Sequence, residues 1–265
     1  MKPDLKRNAE LERINLLAMM PLTEIMPDPE ILVRDDVIMV SHRSFPTPDY
    51  NQACLLQATP ETANHLIEDI VVYFQSKELV PTVFISDACT PDDLKKRLLG
   101  RGFVDIGLKE SWLIFENVQA AKAPRIDNSI ITRQIDLAQV PLFAQVMGAA
   151  FEIPNDMIAL LADALKPSIG ISSVAHYLGY KDDQAVATLT LMYYQDYVIL
   201  GSAGVLKEYR GSKVIFNLAV QALIEAQARG VDTILLQTSL GPLFERFLRI
   251  LGFKQAFRRI GYSLV

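Results

Sequence analysis

At 265 residues, half of them apolar and 22% charged, the chain can bury the core of one or two domains and is too apolar to stay disordered. Its formal charge of −5, from 31 acidic against 26 basic residues, argues against general nucleic-acid binding. Two cysteines, Cys54 and Cys89, make neither a disulfide framework nor a metal-ligand cluster, and no apolar run is long enough to span a bilayer, so no metal and no membrane partner are expected.

Residues 1–34 read as a helical lead. Lys2, Asp4, Lys6, Arg7, Glu10, Glu12 and Arg13 precede a short, mostly apolar run at 14–20. That run is too short, and its flank too acidic, for a secretory signal, so a cytoplasmic address is expected. Residues 35–117 form a first domain. Within it 37–40 and 53–56 read as strands, and Thr59-Pro60-Glu61 opens a helix with Thr59 as N-cap. A strand at 82–85, a helix at 91–101 closed by Gly102, and a strand at 112–115 follow. Residues 118–129 are small and polar around Pro124 and read as a linker.

The second domain is residues 130–265. It opens on a strand at 130–132 and helices at 137–150 and 155–165. Strands follow at 172–180, 185–194 and 197–206, the last two joined by the hairpin link Gln195-Asp196. From 212 to 229, Val214, Ile215, Leu218, Ala222, Leu223 and Ala226 fall on one helical face, and Gly230 closes the helix. A buried strand at 233–237, a helix at 242–251 stopped by Gly252, and a terminal strand complete an α/β fold with a mixed sheet. Both domains end in a helix, a Gly-Phe pair and a strand, Gly102-Phe103 against Gly252-Phe253, at one offset (252 − 102 = 150). That favours a degenerate internal duplication.

Chemistry concentrates where the strand ending near Val205 turns directly into a helix, through Leu206-Lys207-Glu208-Tyr209-Arg210-Gly211-Ser212-Lys213. Outward-pointing amides and the positive end of the helix dipole suit an anion there, and Lys207, Arg210 and Lys213 bring three cations to an acidic chain. A solvated basic turn is the plain alternative. His176, alone among apolar strand residues, reads as a satisfied core histidine; Tyr193 and Tyr194 point to opposite faces of their strand and read as packing.

The segment from Val205 to Gly211 resembles the V-x-P-x-x-R-G segment of the GNAT family of N-acetyltransferases, with Lys207 where that family has proline. Arg229-Gly230, the strand at 233–237 and Leu251-Gly252-Phe253 resemble later landmarks of the family in the same order, so the likeness covers residues 130–265. It implies the GNAT fold, in tandem with a degenerate GNAT-like first domain. It also implies acetyl-CoA as co-substrate, with Val205 and Leu206 along the pantetheine arm and Arg210, Gly211, Ser212, Lys213, Val214 and Ile215 around the diphosphate. Lys213 and Ile215 stand where the family has small residues, residues 197–204 lack a carboxylate, and Leu248 stands at the family's general-acid tyrosine. Glu152 and Tyr262 are the substitute catalytic candidates. The function implied is direct acetyl transfer to a primary amine of a small molecule or peptide. A non-catalytic acyl-CoA-binding or protein-interaction module with the same fold is the alternative, and homo-oligomerisation stays open.

Overall fold

Residues 4–48, 50–211, 213–239 and 241–264 are described by a computed structural model. The chain runs through α1 (Leu5–Glu24), β1 (Pro29–Val33), β2 (Ile38–His42), β3 (Gln52–Cys54), α2 (Ala63–Gln75), β4 (Thr82–Ser86), α3 (Leu94–Gly100) and β5 (Phe103–Glu116). It continues through β6 (Ile130–Gln134), α4 (Val140–Phe151), α5 (Ile158–Leu165), β7 (Val174–Lys181), β8 (Gln184–Tyr194) and β9 (Tyr197–Val205). It ends with α6 (Val214–Ala228), β10 (Thr233–Thr238), α7 (Pro242–Ile250) and β11 (Lys254–Leu264). Among the described residues no helix is long and apolar enough to cross a membrane.

These elements gather into two units that interleave along the chain. One holds Met1–Leu16, Met26–Leu113 and Gln237–Val265, and the other Leu17–Ile25 and Ile114–Leu236. The final helix and strand, expected from the sequence to belong with residues 130–236, therefore group with the first unit.

In the first unit the strands follow the order β1-β2-β3-β4-β11-β5. β3 and β4 are parallel, with Ala53 opposite Val83, and β11 lies antiparallel to β4 from Arg259 opposite Ser86 to Ser263 opposite Thr82. α2 repeats apolar side chains at helical spacing, and Leu66, Ile67, Ile70 and Phe74 are all buried against Val83, Phe103 and Tyr262. Thr59 caps a turn rather than the helix. Its hydroxyl accepts the Thr62 amide at 3.4 Å and its carbonyl the Ala63 amide at 3.0 Å, where α2 begins. α3 likewise starts at Leu94, three residues after Pro91.

A buried charge cluster joins three segments of this unit. Arg259 of β11 donates from Nε to Glu110 of β5 at 2.8 Å, and its second guanidinium nitrogen lies 2.7 Å from the same carboxylate. Glu12 of α1 approaches Arg259 at 3.5 Å and accepts a 2.6 Å bond from the Ser86 hydroxyl. Glu12 shares its buried helix face with Asn8 and Asn15, so α1 packs through polar as well as apolar groups.

In the second unit the order is β10-β9-β8-β7-β6, with β9 and β10 parallel and the other pairs antiparallel. Successive strand residues face opposite sides. Leu178 of β7 packs with Val140, Phe143 and Leu161 of α4 and α5. Gly179, next in sequence, turns to the other face, where Leu218 of α6 lies 3.4 Å from the position a Cβ would take. Helices thus cover both faces. Asn217 of α6 is 3% exposed and ties residues 127–130 to the helix. Its amide donates to the carbonyls of Asp127 at 2.9 Å and Ile130 at 3.2 Å, and its carbonyl oxygen accepts the Asp127 amide at 3.2 Å. Asn217→Ala strands these buried groups and is expected to cost about 1–3 kcal/mol, read as a lowered urea midpoint with an unchanged m-value.

Candidate functional site

β9 is the strand on which the site is built. Its ladder with β10 runs from Tyr197 opposite Thr233 to Leu200 opposite Leu236. Beyond Leu200 it continues along β8 with an irregularity: Thr190 faces Gly201 and Thr188 faces Gly204, so Leu189 alone spans Ser202 and Ala203. This is a β-bulge, which leaves one residue outside the regular ladder and re-aims the strand. Ser202 takes φ +47°, and its carbonyl accepts the Thr188 hydroxyl at 2.7 Å.

Small residues around the bulge let a helix approach. A Cβ on Gly204 would lie 2.6 Å from the ring of Phe151 and 2.9 Å from Cβ of Ala150, so the last turn of α4 rests directly on β9. After Val205, the Leu206 amide bonds the Val186 carbonyl at 2.9 Å, and a single 3-10 turn at Lys207–Tyr209 reverses the chain. Gly211 then adopts φ +81°, with open space within 4 Å of where a Cβ would stand, and Lys213 is the N-cap of α6. The intrahelical ladder starts with Asn217 donating to Lys213 at 3.0 Å, so N–H groups point outward from the helix start. The side chain of the N-cap residue Lys213 does not bond back to this end.

The expected cofactor residues divide by environment. Val205 and Val214 are buried, Leu206 and Ile215 half-buried, and Arg210, Gly211 and Lys213 more open to solvent; Ser212 lies outside the described residues. Lys213 swings outward to pair with Asp127 at 3.5 Å, with its side chain 73% exposed. Ile215, the branched residue at a position expected to be small, is drawn partly into the helix face. Arg210 folds back over the turn. It donates from Nε to the Val205 carbonyl at 3.2 Å and from a terminal nitrogen to the Ala150 carbonyl at 2.7 Å. A cation at the end of α4 also meets the negative end of that helix dipole.

The two catalytic candidates sit in different surroundings. Glu152 is the C-cap of α4, exposed and at φ +58°, two residues beyond the carbonyl that Arg210 holds. Tyr262 is corrected to a packing role. It lies in the core of the first unit at 1% exposure, opposite Val83, because β11 belongs to that unit's sheet. A side chain so covered meets no substrate.

His176 is the satisfied interior histidine that the sequence suggested. Ser168 Oγ lies 2.7 Å from its Nε2 and Thr190 Oγ1 2.8 Å from its Nδ1, and burial lowers its pKa from 6.5 to about 4. The unfolded chain then binds a proton between these values that the folded protein refuses. Stability is present above pH 6.5 and falls by about 3 kcal/mol as pH drops to about 4. Urea titrations at pH 7 and 4 check this, and the loss shrinks in His176→Gln. Tyr193 is likewise a packing residue, with the Arg229 guanidinium 3.9 Å above its ring and burial pushing its hydroxyl up to about 12.

Sequence reasoning missed the bulge. Its signal was the run Gly201-Ser202-Ala203-Gly204, read only for its lack of a carboxylate.

No family model matches the sequence, and no curated protein matches it. Solved structures do. A GCN5-related N-acetyltransferase from Kribbella flavida superposes over 99% of this chain and 96% of its own, with TM-score 0.71 at 13% identity. A GCN5-related N-acetyltransferase from Sphaerobacter thermophilus matches over 88% and 81%, with TM-score 0.60 at 14% identity. A tandem GNAT protein from the clavulanic acid biosynthesis pathway matches over 94% and 86%, with TM-score 0.61 at 11% identity. By the course of its backbone over nearly its whole length, the chain has the fold of the GCN5-related N-acetyltransferases.

Proposed function

We propose that the second unit binds acetyl-CoA and transfers its acetyl group directly to a primary amine of a small molecule or peptide. The observation that carries this reading is β9 itself. It is bulged at Ser202, leaves its ladder with β10 after Leu200, and delivers the chain through an open glycine turn into the start of α6. Pantetheine amides pair along the strand near Val205, and the diphosphate meets the amides of Gly211 and the first turn of α6. Gly211 fits this use because its Cα faces open space. Lys213, two residues later, is turned outward to Asp127.

The amine nitrogen attacks the thioester carbonyl carbon, the C–S bond breaks, and the CoA sulfur leaves as a thiolate that takes the proton released by the amine. Main-chain N–H groups freed at the bulge polarise the carbonyl oxygen, and juxtaposition of the two substrates lowers the barrier further. Glu152, exposed at the end of α4 two residues beyond the carbonyl that Arg210 holds, is the candidate acceptor of the ammonium proton that must be lost before attack. With so exposed a group, the amine's own deprotonation governs the rate, and kcat/KM is expected to rise about tenfold per pH unit until the amine's pKa is passed.

Calorimetry with acetyl-CoA and desulfo-CoA, followed by thiol release across a panel of amines, tests the reading. Binding with amine-dependent thiol release supports it. Binding without release assigns a non-catalytic acyl-CoA module, the second reading, which the absence of a carboxylate from residues 197–204 favours. No binding by either ligand removes the cofactor altogether.

A further inference from the structure

Arg210 stands at the phosphate turn, yet its guanidinium is aimed back at the protein. Among the described residues the groups that accept its protons are neutral main-chain oxygens, Val205 O at 3.2 Å on β9 and Ala150 O at 2.7 Å on α4. One side chain thereby spans the strand expected to carry pantetheine and the helix end expected to border the acceptor. Beneath this bridge Phe151 covers Gly204, its ring 2.6 Å from where a Cβ would stand. The same helix end is closed by two bonds to one oxygen, the Glu152 and Ile153 amides both donating to the Gly148 carbonyl, the second at 2.9 Å.

We propose that Arg210 is a positioning residue with two stations: it fastens the last turn of α4 to β9 through these carbonyls, and it exchanges them for the diphosphate when acyl-CoA binds, releasing that turn. The proposal rests on the acyl-CoA reading above. Its chemistry is a competition for one planar cation. A guanidinium bonds an anionic oxygen more strongly than a neutral one, because opposite charges attract, and can grip it through two parallel N–H groups. Gly211, next in the chain, carries the positive φ and the open surroundings that let the turn re-orient. Release of Ala150 lets Phe151 leave Gly204, which uncovers β9 beside the bulge. Cofactor then precedes acceptor, because the acceptor side opens only once Arg210 has changed partners.

Hydrogen exchange of the Glu152 and Ile153 amides, read by mass spectrometry with and without desulfo-CoA, tests this. In the native chain the ligand is expected to speed their exchange about tenfold or more while slowing exchange at the phosphate turn. Arg210→Lys keeps a point charge but loses the planar fork that spans two carbonyls. Its Glu152 and Ile153 amides are expected to exchange fast without ligand, with desulfo-CoA bound about 3–10-fold more weakly than by the native chain. Arg210→Gln should also exchange fast and bind the ligand about 10–100-fold more weakly. Native protein that binds desulfo-CoA by calorimetry with unchanged or slower exchange at Glu152 and Ile153 overturns the two-station role and leaves the acyl-CoA reading standing. Native protein that does not bind desulfo-CoA overturns both.

Discussion

Arg259→Leu is expected to lower the stability of the protein by about 3–5 kcal/mol, the cost of leaving buried carboxylates without their cation. Arg259 is 3% exposed, and its guanidinium serves Glu110 twice, at 2.8 and 2.7 Å, and Glu12 at 3.5 Å. It also lies over the rings of Phe84 at 4.9 Å and Trp112 at 5.3 Å, so the substitution loses stacking area as well as charge. Trp112 donates to Glu110 at 3.0 Å and Ser86 to Glu12 at 2.6 Å, but neutral donors do not replace a buried cation. Urea denaturation at pH 7 measures the loss. A change below about 1 kcal/mol would mean that the cluster is wetter than its geometry indicates.

The same cluster fixes the sign of a pH effect. It holds two carboxylates against one guanidinium. Burial raises the pKa of Glu12 above its ordinary 4.5, and the neighbouring Glu110 adds to the rise, while Arg259 and the Ser86 hydroxyl oppose it. The folded protein then keeps a proton that the unfolded chain releases. This group's contribution is complete below pH 4.5 and is lost as pH rises through the raised folded value. Glu12→Gln retains an oxygen for Ser86 and removes the titration, so its stability is expected to fall less than the native protein's across that window.

Gly204→Val is the substitution expected to cost most activity, about 100-fold in kcat with the fold retained. The new side chain would begin 2.9 Å from Cβ of Ala150 and 2.6 Å from the Phe151 ring. Phe151 is 49% exposed and can swing aside, but Cβ of Ala150 is fixed to the helix backbone and must move with α4. That movement displaces Glu152 at the end of α4, and the new isopropyl group fills the space on β9 beside the bulge that the acceptor would use. The strand itself stays paired to β8 on both sides of the bulge, so acetyl-CoA affinity is expected to change much less than turnover. Steady-state thiol release beside calorimetry separates the two quantities, and a loss confined to cofactor affinity would count against this account.

Much of the second unit was legible because its signals are local. The periodic apolar face of α6, the Gln195-Asp196 hairpin and the glycine stops each follow from a few neighbouring residues. The strand-to-helix turn at 206–213 was legible for the same reason, since a strand, a glycine and a helix start are consecutive there. β1 was not, because its side chains are mostly exposed and show no alternation. The first part of β5 was hidden by Asp105, Gly107 and Lys109, which interrupt any buried run. The bulge at Ser202 depends on what lies across from it in β8, and the target of Arg210 lies 60 positions away, so neither could be read along the chain. Tyr262 was misjudged because β11 was assigned to the nearer domain, whereas its hydrogen-bonding partner is β4. The Glu12–Arg259 contact, 247 positions apart, has no local signature.

That placement of β11 has a consequence for how the protein is made. All the strands from β6 to β9, with α6 and the paired part of β10, lie within Ile114–Leu236, so the ribosome delivers every piece of the second unit while the first unit still lacks β11. Arg259 is among the late arrivals, and until it emerges Glu12 and Glu110 have no cation to surround. The unit whose synthesis begins first is therefore finished last, and a nascent chain halted near residue 236 would carry a complete set of strands for the second unit and an unfinished first one.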